Sequence, residues 1–307
     1  MSSFADRLQS SIDTTGSALV AGCDPVLDNL PTVLLAEAER VARTDGEYIE
    51  RALSLFAELF ITAVSGRVAA VKPNIAFFEQ YGLPGLSVFQ TLCERVRAAK
   101  IPLIIDAKRG DIGSTAAAYS AAFVGHASVR GRSFTPFECD ALTINPFLGF
   151  DTIEPFLVDC ERREKGLFVL LQTSNPGAKD IQGLRCGEDT VSGHIARWLA
   201  AHGPRLLGEC GWSGLGAVVG ASYPEEARDL RQKLPQTFFL MPGFGAQGAG
   251  ADDAIAGFGT LKGRRGGALV NVSRGLVAGE AKSLEGFGHL IAHNADRFNS
   301  QLRKAIS

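Results

Sequence analysis

A (β/α)8 barrel of the TIM type is the fold this sequence predicts, and three observations predict it. Eight short apolar runs recur along the 307 residues. Stretches with helical spacing lie between them. Polar residues punctuate the C-terminal end of nearly every run, where such barrels build their active sites. A doubly wound open sheet shows the same alternation, so the count of runs does not by itself separate the two architectures. No linker, repeat or low-complexity tract interrupts the chain, which predicts one domain over residues 1–307.

The strands are expected at Ala18–Cys23, Val68–Pro73, Ile101–Asp106, Ala141–Asn145, Leu167–Gln172, Leu215–Val219, Thr237–Met241 and Ala268–Val272. Most are almost wholly apolar, as parallel strands covered on both faces must be. Between the first two, Tyr48, Ile49, Ala52, Leu53, Phe56, Leu59, Phe60 and Ala63 follow the spacing of one helix face. Leu86, Phe89, Leu92, Cys93 and Val96 do the same before the third strand. A polar, glycine-containing loop over Pro176–Asp189 precedes a helix at Thr190–Ala201. Ser222-Tyr-Pro-Glu225 reads as a capping box with Pro224 in the first turn. Residues Ala281 to Ala305 read as the closing helix.

Composition excludes several classes. The net charge is −2, with 46% hydrophobic and 21% charged residues, so nothing calls for nucleic acid or an anionic membrane as partner. Residues Met1 to Ser10 are polar and lack the apolar core of a secretion signal. No apolar run approaches a membrane span. The six cysteines contain no Cys-x-x-Cys pair and read as small buried residues of a reduced, cytoplasmic protein, not as disulfides or a zinc site.

The chemistry concentrates in Ile104-Ile105-Asp106-Ala107-Lys108-Arg109-Gly110-Asp111-Ile112-Gly113. An apolar strand runs straight into alternating charge. Strand alternation puts Asp106 and Lys108 on one face, and the Arg-Gly turn brings Asp111 close behind. Two carboxylates around one ammonium are costly to hold together, which points to use, although a structural salt-bridge network has the same composition. Other strand ends contribute Asp24, Lys72, Asn145, and Ser174 within Thr173-Ser174-Asn175-Pro176-Gly177. The last two strands end in the glycine-rich Pro242–Gly250 segment and in Asn271-Val272-Ser273-Arg274-Gly275. Glycines let backbone N–H groups approach an anion and Arg274 adds a charged fork, a phosphate-site pattern. Gly243-Phe-Gly245-Ala-Gln-Gly248 matches a dinucleotide fingerprint. It follows the wrong strand, however, and no acidic residue closes a later strand, so a nicotinamide cofactor is not expected. His289 and His293 lie four apart on the closing helix and read as solvent-facing, since no glutamate follows His289 as a zinc helix requires. His126, His194 and His202 fall in helix-like stretches without chemical context.

Asp106-x-Lys108-x-x-Asp111-Ile112, followed by Thr115, resembles the signature of the orotidine 5′-phosphate decarboxylases. The resemblance extends over nearly the whole chain. Asp24 matches the family's strand-one aspartate and Lys72 its strand-two lysine. Ser174 matches the serine that meets the pyrimidine ring, and Gln247 and Arg274, with Gly275 beside it, match the phosphate-binding set. The length and the Thr-Ser-Asn-Pro-Gly segment are similar to the longer bacterial subgroup. The segment Leu27–Gly46 has no evident counterpart.

The resemblance implies decarboxylation of orotidine 5′-phosphate to UMP, the last step of UMP biosynthesis, with Lys108 beside C6 as proton donor. It implies no metal and no organic cofactor. It also implies a homodimer in which Asp111, Ile112 and Thr115 reach the neighbour's site. Two other readings stand beside it. A sugar-phosphate aldolase of the same barrel superfamily shares the Asp-x-Lys-x-x-Asp pattern and uses magnesium. A non-catalytic phosphometabolite-binding barrel would keep Arg274 and the glycines without needing the Asp–Lys–Asp array.

Overall fold

The computed structural model describes residues 2–244 and 250–306. Eight parallel strands form the barrel: β1 Leu19–Cys23, β2 Ala70–Pro73, β3 Ile104–Arg109, β4 Ala141–Ile144, β5 Gly166–Gln172, β6 Ser213–Val219, β7 Thr237–Met241 and β8 Ala268–Val272. They bond in the order β2-β1-β8-β7-β6-β5-β4-β3. Bridges from Val71 to Leu103 and from Asn74 to Asp106 join β2 to β3 and complete the ring. An open sheet is thereby excluded. Nearly every strand residue is buried, which is why the strands read as apolar runs.

β7 and β8 lie where the sequence predicts. β3 instead starts three residues late and runs on to Arg109, because its pairing with β4 is irregular: Ile105 faces Leu142, but the next partners are Arg109 and Ile144.

The helices are α1 Phe4–Thr15, α2 Thr32–Glu39, α3 Asp45–Val64, α4 Ala76–Glu79, α5 Gly82–Ala98, α6 Gly113–Phe123, α7 Glu154–Arg163, α8 Val191–His202, α9 Pro224–Lys233, α10 Ala251–Ala254 and α11 Leu284–Ile306. α1 was not expected from its polar sequence. Ser3 caps it by accepting the Asp6 N–H, and Gly16 ends it at φ 58°. Its three buried residues, Phe4, Ala5 and Leu8, join Val20, Ile104, Phe168 and Phe238 in a cluster that seals the N-terminal end of the barrel. The unplaced Leu27–Gly46 segment forms a short 3-10 turn and then α2, which buries Leu34 and Ala38 against α3. α11 closes the molecule on α3, with the Phe56 and Phe287 rings 6.2 Å apart.

Three expectations are corrected. The capping box before α9 does not form: Pro224 occupies the first turn as expected, but this makes Tyr223 the N-cap, with no side-chain cap bond. Ser222 thus stands one residue too far out. His126 lies outside any helix, since α6 ends at Phe123 and an exposed hairpin, Ala127–Val129 with Arg132–Phe134, follows. Cys23, Cys93, Cys139 and Cys160 are buried, but Cys186 is exposed and Cys210 half-buried; all six are free thiols. His289 and His293 face solvent as predicted. No described helix is long and apolar enough to cross a membrane.

Candidate active site at the barrel mouth

The C-terminal ends of β2 and β3 bring three charges into direct contact. Lys72 Nζ donates to Asp106 Oδ2 at 2.9 Å, and Lys108 Nζ donates to Asp106 Oδ1 at 2.6 Å. Asp106 is 8% exposed. The Lys108 side chain is 46% exposed and stands at the rim. The contact expected between Asp106 and Lys108 is present, but regular strand alternation does not make it. Lys108 has φ 47°, a left-handed backbone that costs a non-glycine residue about 1–2 kcal/mol. The local bulge turns Lys108 back over Asp106. The hydroxyl of Thr143 on β4 supports it, donating to Asp106 Oδ1 at 2.9 Å and accepting the N–H groups of Ala107 and Lys108 at 3.0 Å each.

The electrostatics follow from this geometry. Burial alone would raise the Asp106 carboxyl, but Lys72 and Lys108 outweigh it and hold the group well below the usual carboxylate range. Burial would likewise lower Lys72, yet Asp106 and then Asp24 overcome it, and its ammonium is stabilised above the ordinary lysine value. One carboxylate between two ammoniums therefore replaces the expected pair of carboxylates around one ammonium. Asp111 points elsewhere within its own chain: its Oδ1 accepts the N–H of Ile112 at 2.8 Å.

A cavity of about 300 Å³ opens beside this array, lined by Asp24, Lys72, Asp106, Asn271 and Arg274 among others. Asp24 Oδ1 accepts the Asn74 N–H at 3.2 Å, which ties β1 to the turn after β2. Arg274 opens a short 3-10 turn after β8, is exposed, and has no ion-pair partner among the described residues. Gly275 lets that turn sit on α11, since a Cβ there would stand 2.7 Å from the Phe298 ring. Gly243, near the start of the glycine-rich segment, has φ 113°, open in practice only to glycine. Gln247 lies outside the described residues.

The structure thus gathers Asp24, Lys72, Asp106 and Arg274 around one cavity and attaches Lys108 through Asp106. It does not bring Asp111, Ile112 or Thr115 there. Those residues stand at the start of α6, where Ile112 is 62% exposed and Thr115 is also exposed. Ser174 is half-buried in the loop after β5 and does not line the cavity. Among the described residues no three His, Cys, Asp or Glu side chains cluster as a metal cage would require.

One residue escaped the sequence reading. Thr143 was absorbed into an apolar strand, where a hydroxyl among Ala141, Leu142 and Ile144 was the available signal. Asn271, one of the polar residues expected at the end of the eighth strand, lines the same cavity as Lys72, and its buried side-chain oxygen has no hydrogen-bond partner among the described residues.

Comparison with known proteins identifies the family. The profile of the orotidine 5′-phosphate decarboxylase / HUMPS family matches residues 51–284. An orotidine 5′-phosphate decarboxylase of Caldicellulosiruptor bescii is 41% identical, covering 82% of this chain and 83% of its own. The one from Rhodopirellula baltica is 40% identical, covering 90% of this chain and 89% of its own. Among solved structures, a protein from Streptomyces avermitilis described as a putative orotidine 5′-phosphate decarboxylase superposes with a TM-score of 0.78 at 32% identity, covering 100% of this chain and 96% of its own.

Proposed function

This chain belongs to the orotidine 5′-phosphate decarboxylase / HUMPS family, and from that premise we propose how its residues convert orotidine 5′-phosphate to UMP. The observation that carries the reading is the clamped carboxylate: Asp106 held between Lys72 and Lys108 beside a cavity that also holds Arg274. The array makes a non-catalytic binding barrel a poor account of the site.

In the reaction the bond between C6 and the carboxylate breaks. Carbon dioxide departs and its bonding electron pair stays on C6, in the plane of the ring. No ring carbonyl delocalises that pair well. Lys108 sits beside C6, offsets the negative charge, and then transfers a proton from Nζ to C6, completing UMP. Solvent returns the proton to the lysine. Asp106 anchors the ammonium, and its like charge toward the substrate carboxylate raises the bound ground state.

One ammonium is too little for the whole task. A charge pair at about 4 Å gains roughly 4 kcal/mol at an effective dielectric of 20. Catalysis of very slow reactions requires about 20 kcal/mol. The remainder comes from a preorganised, water-poor site and from binding energy remote from C6. Arg274, Gln247, Gly275 and the glycines before them grip the phosphate. Ser174 meets the pyrimidine, and Asp24 and Lys72 hold the sugar side.

The active unit in this reading is a homodimer, with Asp111, Ile112 and Thr115 entering the partner's site. Two observations support it: the exposed Ile112, and the 72% exposed Phe147 after β4 on the same rim. Asp111 of the neighbour then supplies the second carboxylate for Lys108. The reaction needs no metal or organic cofactor, and we place it in the cytoplasm. An aldolase reading is not favoured, because the named relatives are decarboxylases. The test is purified protein with orotidine 5′-phosphate and a chelator, followed by ultraviolet absorbance. Loss of orotidylate absorbance is expected; an unchanged spectrum overturns the proposal.

A further inference from the structure

Thr143 stands near the end of β4, is 1% exposed, and does not line the cavity at the barrel mouth. Its single hydroxyl has one hydrogen and two lone pairs. All three are used: the hydrogen goes to Asp106 Oδ1, and the lone pairs receive the N–H groups of Ala107 and Lys108. These two N–H groups belong to the stretch where β3 and β4 fall out of register, between Ile105↔Leu142 and Arg109↔Ile144. A regular ladder therefore has no carbonyl to offer them. The hydroxyl that receives them is itself buried, and N–H groups turned toward such a site are disfavoured without partners, so the bulge needs an acceptor at that point. The bulge in turn holds Lys108 at φ 47°, a conformation that other residues reach only when their surroundings enforce it.

We propose that Thr143 is the positioning residue for the catalytic lysine: one hydroxyl fixes the backbone of Lys108 from one side and the carboxylate that holds its ammonium from the other. The inference rests on the assignment of Lys108 as proton donor. The backbone anchor and the side-chain anchor of Lys108 meet at the same oxygen. A change at Thr143 therefore displaces the ammonium without removing any group that touches the nucleotide. A reacting group misplaced by about 1 Å costs on the order of 100-fold in rate. The effect should fall on kcat, since the phosphate grip lies across the mouth on β8.

The test compares Thr143→Val, Thr143→Ala, Thr143→Ser and Lys108→Ala, with kinetics normalised to the folded fraction by UMP titration. Valine keeps the shape and removes the hydroxyl; alanine serves if valine does not fold. Thr143→Val is expected to lower kcat on the order of 100-fold with KM and UMP affinity little changed. Thr143→Ser should recover most of that loss. The proposal is overturned if Thr143→Val or Thr143→Ala keeps the parental kcat while Lys108→Ala is inactive. It is equally overturned if serine is as impaired as alanine, or if kcat and UMP affinity fall together. Parental turnover in Lys108→Ala instead removes the underlying assignment, whatever Thr143 does.

Discussion

Lys72 and Asp106 meet at 2.9 Å with their side chains only 6% and 11% exposed, so a full ion pair lies almost out of water at the end of the barrel. Such a pair is tolerated only when both partners are present. Removing one leaves an uncompensated buried charge, at a cost of about 3–5 kcal/mol. Asp106→Asn should therefore destabilise the protein by about that amount, because two ammoniums then face a neutral amide. Urea unfolding at neutral pH measures it, and a loss near zero would contradict the picture.

The same pair sets a pH signature. The folded Asp106 value is depressed, so its contribution is fully present above the unfolded carboxyl value of about 4 and is lost only as pH falls through the lower folded value. The folded Lys72 value is raised, so its contribution is present below about 10.4 and is lost as pH rises through the higher folded value. The stability gap between parent and Asp106→Asn should stay level between about pH 5 and 8 and narrow only in stronger acid. A gap that stays level on into strong acid would mean that folding leaves this carboxyl at its ordinary value.

Lys108→Ala should abolish turnover while UMP still binds, since the proposed phosphate grip lies elsewhere on the mouth. Calorimetric titration with UMP and an absorbance assay with orotidine 5′-phosphate read the two properties separately. Near-normal turnover would end the proton-donor role.

Arg274→Ala should weaken substrate affinity far more than it slows bound substrate, by about 2–3 kcal/mol for a lost charge-assisted contact. Added guanidinium should restore part of the loss. An unchanged KM would remove Arg274 from the phosphate site.

If Asp111 serves the neighbouring subunit, Lys108→Ala and Asp111→Ala dimers should each be inactive, yet mixing them should restore activity. Random pairing places both intact groups in one site of each hybrid, giving about a quarter of parental activity. Mixtures that stay inactive after demonstrated subunit exchange would place Asp111 outside the partner's site.

Phe4→Ala should cost about 3–5 kcal/mol, because the ring fills the floor of the barrel and a cavity is left behind. Catalysis per folded molecule should not change. A parallel fall in kcat would show that the floor and the mouth are coupled.

The sequence exposed the barrel because parallel strands buried on both faces leave continuous apolar runs, and β7 and β8 were legible to the residue. Lys72, Asp106, Lys108 and Arg274 were legible because strand ends convert polar residues into mouth positions. The bulge in β3 was not, since no period-two pattern records a register shift held by a side chain on the next strand. α1 escaped because it buries little more than Phe4, Ala5 and Leu8 among polar neighbours. The exposed hairpin at 127–134 carries no inward face to leave a pattern. Asp111, Ile112 and Thr115 make no site within one chain; the turn after β3 drew Asp111 into the charge cluster, and only family resemblance connects Ile112 and Thr115 to the chemistry.

The helix stoppering the barrel carries Ser10 and Thr14 on its solvent side, at the far end from the charged mouth. Either position offers a handle for a tether, a dye or a solid support. An enzyme fastened there hangs with its doorway toward the bulk solution, where incoming substrate and outgoing gas share one threshold.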